Sequence, residues 1–477
     1  MGLRVGYNRG SINLMDYIPD RILDDAFKRL GREALRDKLS AAQALAKIRG
    51  LRYLDDSSRP RAIDLSIRPW LVTSAQIRHF YRSIHLLAGA LHRLRALYRA
   101  KPAIREILRL TPAQTQWLSL EPQPSHGPLS VMGRIDSTAS YGHARWKTDY
   151  RMLEPNAVGV GGLHYAPTGC RIVQDVADDL LSDALPGCRI TPTPDPRQLL
   201  LGELTLVARR LGCPLRSLAL IENTDFTTGT DEFQQLAAYF KRLGLQAVVA
   251  DPRELRLSSG RIMAGRLAVD LLYRDSELSE FIEIEEKGKP LRALKAAIRQ
   301  GRLVSSLTWE MDQKSAWEVF TDERFAFAFS SAQRAFFRSH LLWTRRLRQA
   351  RVTDSAGRLV DLVPFVRANR RGLVLKPNTL FGGEGVVIGR ETAQQDWERE
   401  LAKALRGKQD YVAQEVAKIA SEWVPCLDKG KPEMRKRSTV SGFYFSSSGI
   451  GLIGRFSPRT VVNVSQGGGL LPALWVR

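Results

Sequence analysis

The chain of 477 residues is poor in several of the features that would class it at once. It has only four cysteines, Cys170, Cys188, Cys213 and Cys426, with no Cys-x-x-Cys pair among them. A disulfide framework and a thiolate zinc site are therefore not expected, and the four read as reduced, mostly buried thiols. Its seven histidines include no His-Glu-x-x-His. No apolar run approaches the length of a membrane span, and the opening MGLRVGYNRGSINLMDYIPD has no apolar stretch ahead of a cleavage site, so a cytoplasmic protein with no membrane partner is expected. Acidic side chains are also scarce, 50 Asp and Glu against 72 Lys and Arg, which leaves a net charge of +22.

What is present is globular in composition. With 44% hydrophobic and 26% charged residues the chain is long enough for two or three domains. The basic excess is uneven: residues 61–110 carry ten basic and two acidic side chains, and residues 325–352 contain no acid while Arg334, Arg338, Arg345, Arg346, Arg348 and Arg351 accumulate. Such charge suits a polyanion, yet no aromatic and basic nucleic-acid motif accompanies it. The favoured reading is solvated helical faces, with steering of anionic ligands as a further use.

The most telling stretch is Val374-Leu375-Lys376-Pro377, followed by Phe381-Gly382-Gly383-Glu384-Gly385-Val386-Val387. A β-branched, apolar run delivers a lysine to a loop whose glycines Gly382, Gly383 and Gly385 permit positive φ and close backbone approach, so that amides and one ammonium converge on phosphate. It is not a Walker A loop, because the lysine precedes the glycines. A second segment holds Arg134-Ile135-Asp136 and Glu154-Pro155-Asn156 at the ends of two short predicted strands. Alternation puts Arg134 with Asp136, and Glu154 with Asn156, each pair on one strand face. Three oxygen donors, Asp136, Glu154 and Asn156, then face one point beside a guanidinium, a set that suits Mg²⁺ bridging a triphosphate. Pro155 removes a backbone donor, which an edge strand tolerates. His126, His143 and His164 lie near this segment, but imidazole is not a usual Mg²⁺ ligand.

Strand, Lys-Pro, glycine-rich flap and strand together resemble the phosphate loop of ATP-grasp ligases. The order here, with R-x-D…E-x-N first and the lysine loop last, resembles the circularly permuted ATP-grasp proteins, which include the glutathionylspermidine synthase-like ligases. Asp312-Gln313-Lys314, Ala413-Gln414-Glu415-Val416 and the ending from Gly454-Arg455 through Asn463 to Gly467-Gly468-Gly469 are similar as well, so the resemblance spans roughly residues 80 to 477. It implies ATP and Mg²⁺ as cofactors, Lys314, Lys376 and the glycines on the phosphates, Gln414 and Glu415 at the adenine and ribose hinge, Asp136, Glu154 and Asn156 on the metal, and Arg134 stabilising the transferring group.

Periodicity supplies the remaining organisation. Residues 20–50 and 72–120 repeat as helices, the second with an apolar stripe of Ile77, Phe80, Tyr81, Ile84, Leu87, Leu91, Leu94 and Leu97 that must pack on a core. EPQPSHGP at 121–128 breaks it. Strand-like runs at 218–221, 247–250 and 269–274, with an amphipathic helix over 232–243, follow βαβ logic, and a helix is expected near 290–300. The fold class expected is α/β (α+β): a helical region over 1–125, the metal-binding half of the ATP-grasp over 126–210, an α/β substrate domain over 211–300, and the nucleotide-binding half over 301–477.

The activity implied is an ADP-forming carboxylate–amine ligase acting through an acyl phosphate on small-molecule or peptide substrates. A non-catalytic nucleotide-binding scaffold and a tRNA-dependent peptide-modifying protein are the alternatives. ADP release would separate the first from a ligase, and salt-resistant polynucleotide binding would mark the second.

Overall fold

The structure is a computed structural model, and it describes residues 16–54, 59–122, 130–225, 231–380, 382–462, 464 and 467–477. The expected boundary near 125, with His126, Phe381 and Asn463, lies outside the described residues, as do most of the opening twenty positions. None of the described helices is long and apolar enough to cross a membrane.

The architecture is mixed α/β and is organised around three principal sheets. The largest runs in the order Asp64–Leu65, Gly469–Leu471, Gly449–Ser457, Lys431–Ser446, Gly133–Ser137, Met152–Asn156, and Ala420–Asp428 pairs with the far end of the long strand Lys431–Ser446. The contact between Asp64–Leu65 and Gly469–Leu471 is parallel, and a smaller sheet beside it pairs Trp70–Thr73 in parallel with Ala473–Val476. Phe443, Tyr444 and Phe445 are all buried, so both faces of this sheet are covered at its centre.

One of those covers is the helix Ser74–Ala100. Thr73 starts it with a capping box: its hydroxyl accepts from the Gln76 amide at 3.3 Å, and the Gln76 side chain accepts from the Thr73 amide at 2.9 Å. Phe80, Ile84, Leu87, Leu91 and Leu94 are buried along one face, with Phe80 stacked on Phe443 at 4.6 Å between ring centroids. Ile77 and Leu97 are half-buried. Tyr81 departs from the expected stripe, being 44% exposed with its ring against His85. It follows Phe80 by one residue, about 100° around a helix, and so leaves the apolar face.

The second sheet is wholly parallel, in the order Leu303–Val304, Leu271–Arg274, Ser217–Ile221, Gln246–Ala250, with the amphipathic helix Glu232–Arg242 between the last two in a βαβ crossover. The helix near 290–300 is Arg292–Arg299. Just beyond the carboxyl ends of the strands lie Glu222, Asp251 and Asp275, on the edge where open parallel sheets bind ligands.

The third sheet is antiparallel, in the order Thr344–Arg346, Tyr411–Glu415, Leu373–Pro377, Val387–Ile388. The helices Leu362–Ala368 and Gln394–Arg406 cover one face, where Leu373, Leu375 and Ala413 pack with Val363, Val366, Trp397 and Leu401. Lys376 and Gln414, one residue out of phase, belong to the opposite face. Part of the arginine-rich run is structural rather than a solvated helical surface. Arg345 and Arg346 are 1% and 8% exposed in a strand, Arg346 pairs with Asp410 at 3.1 Å and Arg348 with the buried Glu318 at 2.6 Å. Arg338 does lie exposed on the helix Ser331–His340.

Of the four cysteines, all unpaired, only Cys170 is fully buried; the other three are intermediate. The expectation of mostly buried thiols holds for that one alone.

Candidate active site

The strands Gly133–Ser137 and Met152–Asn156 pair antiparallel, with Arg134 opposite Asn156 and Asp136 opposite Glu154. Partners across an antiparallel ladder share a face, so the four side chains converge. A register irregularity follows at Asp136/Ser137 and ends the regular pairing there. Pro155 sits on the outermost strand of its sheet, where a missing donor costs nothing.

Cations surround both carboxylates. Arg134 donates from Nε to Asp136 Oδ1 at 2.8 Å and from Nη2 to Oδ2 at 3.3 Å, while its Nη1 reaches Gly161 O at 2.9 Å. Arg455, from the strand Gly449–Ser457, meets Asp136 Oδ2 at 2.9 Å. Burial alone would raise the Asp136 carboxyl, but the Arg134 and Arg455 guanidinium groups outweigh it and hold it well below the usual carboxylate range. Glu154 Oε2 lies 3.6 Å from Lys314 Nζ and 3.9 Å from Lys376 Nζ. Here too burial is overcome by the two ammonium groups, and Glu154 is lowered. Lys376 is itself lowered, first by burial and further by Lys314, with Glu154 opposing.

The two lysines are held in register by Asn378, two residues after Lys376. Its carbonyl accepts from the Lys314 amide at 3.1 Å, its Oδ1 from the Ser315 amide at 2.9 Å, and its Nδ2 donates to Gln313 Oε1 at 2.9 Å. Lys314 Nζ also donates to Leu380 O at 2.6 Å, at the mouth of the glycine loop. In that loop Gly382, Gly383 and Gly385 have φ of 71°, 77° and 66°, a region that L side chains avoid. A Cβ on Gly385 would come within 2.8 Å of Pro377.

Gln414 is fully buried and bridges the two sheets, donating to Leu153 O at 3.0 Å and Thr344 Oγ1 at 2.9 Å, while its Oε1 has no partner. Glu415 is exposed and belongs to the other face of its strand, that of Leu373. The structure thus brings together Arg134, Asp136, Glu154, Asn156, Lys314 and Lys376, places Gln414 beside them, and turns the Glu415 side chain away.

Among the described residues no group of three His, Cys, Asp or Glu side chains could hold a metal ion. The donor set fits Mg²⁺ nonetheless, because that ion takes one or two carboxylates and fills its remaining positions from phosphate and water. Asn156 donates from Nδ2 to Asp136 Oδ2 at 3.5 Å, and a flip of the amide turns its Oδ1 toward the same point. His164 is committed elsewhere: its Nε2 pairs with Arg49 O and its amide with Glu232.

On the side of the parallel sheet the site is acidic. Asp312 Oδ2 accepts from the Ala157 amide at 2.5 Å, directly after Asn156, and burial helped by Glu310 pushes Asp312 up to about 7. Burial, together with Asp312 and Glu310, raises Glu277 to about 8. Burial and mutual repulsion lift Glu222 to about 7, and burial chiefly does the same for Glu232 and takes Asp275 to about 6. Glu232 accepts from the Gly162 and His164 amides at 2.9 and 2.8 Å, fixing the loop whose Gly161 carbonyl holds Arg134 and Tyr444. The motif reading quoted Asp312 only within Asp312-Gln313-Lys314, and it assigned no role in the site to Asp312, Glu277 or Glu232. Only Asp312, two residues before Lys314, had a local signal.

Neither a protein-family model nor a curated protein matches the sequence. Among solved structures, a candidate gamma-glutamylcysteine synthetase from Methylobacillus flagellatus aligns over 79% of this chain and 83% of its own, at 12% identity and a TM-score of 0.35, too slight a likeness to argue from. A glutathione synthetase-like effector from Globodera pallida, solved in its apo form, aligns with a TM-score of 0.61 at 10% identity, over 96% of this chain and 99% of its own. The chain shares the fold of that effector through nearly its whole length.

Proposed function

We propose that the chain is an ATP-dependent carboxylate–amine ligase of circularly permuted ATP-grasp architecture, forming an amide bond through an acyl phosphate. The observation that carries the reading is the register placing Asp136 opposite Glu154, with Lys314 and Lys376 both within 4 Å of Glu154. Two carboxylates and a carboxamide on paired strands, Lys376 on a third strand and Lys314 on a turn, beside a loop of positive-φ glycines, form a cradle for a metal–triphosphate. The shared fold of a glutathione synthetase-like effector supports an ATP-grasp-like architecture and, with it, a ligase.

In this reading Lys314, Lys376 and the amides around Gly382, Gly383 and Gly385 hold the phosphates, and Asp136, Glu154 and Asn156 hold Mg²⁺. When bound, MgATP supplies the phosphoryl group and the metal offsets its charge. Gln414 Oε1, buried without a partner, is an acceptor suited to the adenine amino group. The Glu415 side chain, on the reverse face, leaves only its backbone for that hinge.

A substrate carboxylate oxygen displaces ADP at the γ-phosphorus. The nitrogen lone pair of an amine then forms the C–N bond, phosphate departs with the C–O bond pair, and the amine gives up a proton. Arg134, held by Asp136 and Gly161 O, stabilises the transferring group. Residues 126–210 and 301–477 are then the two halves of the ATP-grasp, and 211–300 the substrate domain.

The test is ADP release across mixtures of small or peptide acids with amines. ADP formation that needs both an acid and an amine supports the reading. Absence of any MgATP binding sinks it.

A further inference from the structure

A cavity of about 560 Å³ opens against the third sheet, and Trp343, Phe365, Arg370, Arg371, Gln394 and Glu415 are among its lining residues. It is not part of the cleft. Glu415 is the cross-strand partner of Leu373, whose side chain packs beneath the helices Leu362–Ala368 and Gln394–Arg406, whereas Lys376 and Gln414 belong to the other face. The thickness of the sheet separates the two.

The lining has a definite chemistry. Arg370 is fixed in place: its Nε donates to Gln394 Oε1 at 2.9 Å, and its Nη1 donates to Gly389 O and Thr392 O. An arginine immobilised in this way has less side-chain entropy to lose when it takes an anion. Arg371 beside it makes no ion pair among the described residues, and neither does Glu415. The Trp343 and Phe365 rings meet edge to face at 5.5 Å and form an apolar wall. The volume falls in the range of small-molecule pockets, roughly 300–1,000 Å³.

We propose that this cavity is a second small-molecule site, for a zwitterionic amino acid or short peptide with an apolar side chain. A nucleotide or other polyanion would set its charge against the Glu415 carboxylate, and a simple cation would face two guanidinium groups. A zwitterion satisfies both signs, its carboxylate at Arg370 and Arg371 and its ammonium at Glu415, and lays its side chain on the aromatic wall. The strand Leu373–Pro377 lines this cavity with its first residue and bears Lys376 near its end, so an occupant here touches the element that presents the phosphate lysine.

The experiment is saturation-transfer NMR with phenylalanyl-alanine bearing free termini, compared with its N-acetylated and C-amidated forms, on the parent chain and on Arg371→Glu and Glu415→Gln. Both replaced residues are exposed, and circular dichroism verifies the fold of each variant. The free dipeptide should bind the parent, each blocked form should bind about tenfold more weakly, and each variant should lose a comparable amount. Failure of the free dipeptide to bind, indifference to blocked termini, or undiminished binding in both variants overturns the proposal.

Discussion

Asp136 and Glu154 are direct cross-strand partners, yet separate pairs of cations neutralise them: Arg134 and Arg455 close on Asp136, Lys314 and Lys376 on Glu154. Adjacent carboxylates would repel one another, and these four positive groups let both stay ionised at the same place. Arg134 comes from the strand of Asp136 itself; the other three come from elements far along the chain.

If Mg²⁺ sits between these carboxylates, Asp136→Asn combined with Glu154→Gln abolishes the part of MgATP's stabilisation that depends on the metal. Ligands that bind only the native state raise its melting temperature by mass action, so thermal shifts with and without Mg²⁺ read the site directly. A magnesium-dependent shift of the parent's size in the double variant places the metal elsewhere.

Lys376→Ala should reduce ATP turnover by about a hundredfold or more, the usual scale for removing one preorganised group from a developing charge. The side chain is 14% exposed and points toward Glu154 rather than into the apolar core, so the melting curve should keep its cooperative form. Parent-like ADP release would refute the assignment.

The acidic side of the cleft gives a pH dependence of known sign. Asp312 and Glu277, raised in the folded chain to about 7 and about 8, contribute stability that is fully present below their unfolded values and is lost as pH rises through the folded ones. Glu154, which is lowered, works the opposite way, and its contribution is lost only as pH falls below the usual carboxylate range. Asp312→Asn with Glu277→Gln should flatten the fall in melting temperature between about pH 5 and pH 8 and raise it at the alkaline end. An unchanged slope would mean that these carboxyls are not the groups titrating.

Neighbouring residues on one helix should respond very differently to truncation. Phe80→Ala removes a fully buried ring stacked on Phe443 and should cost about 3–5 kcal/mol. Tyr81→Ala, at 44% exposure, should stay within about 0.5 kcal/mol. Denaturant unfolding of both variants checks the contrast, and equal costs would contradict the packing.

Part of the basic run is engaged inside the protein, as with Arg346 on Asp410 and Arg348 on Glu318. Nucleic acid should therefore bind weakly, only at low salt, and without effect on ADP release. Filter binding at several salt concentrations tests this, and RNA affinity that persists at physiological salt would promote a nucleic-acid role.

The sequence disclosed what short-range chemistry dictates. The Lys-Pro-glycine strand and loop, the two strands of R-x-D and E-x-N, and the βαβ unit around Glu232–Arg242 each carry their signal within a few residues. Arg455 closing on Asp136 was not legible, because the strand Lys431–Ser446, hairpin partner of Gly449–Ser457, pairs with Gly133–Ser137 in a long-range event with no local mark. Arg345 and Arg346 read as solvated charge because a buried arginine differs from an exposed one only in partners that lie far off in sequence. The orientation of Glu415 follows from which face the helices cover, a tertiary fact.

The interleaving of Gly469–Leu471 between Asp64–Leu65 and Gly449–Ser457 also bears on the order of assembly. A ribosome delivers Asp136 and Glu154 long before Lys431–Ser446, which pairs with the strand of Asp136, and Gly449–Ser457, which pairs with Lys431–Ser446 in turn, so the strand of Asp136 waits with one edge unpaired while most of the chain is made. Such non-local closure is slow and leaves strand edges open to other chains. Until residue 446 emerges, the strand that carries Arg134 and Asp136 keeps one row of backbone donors and acceptors without its native partner.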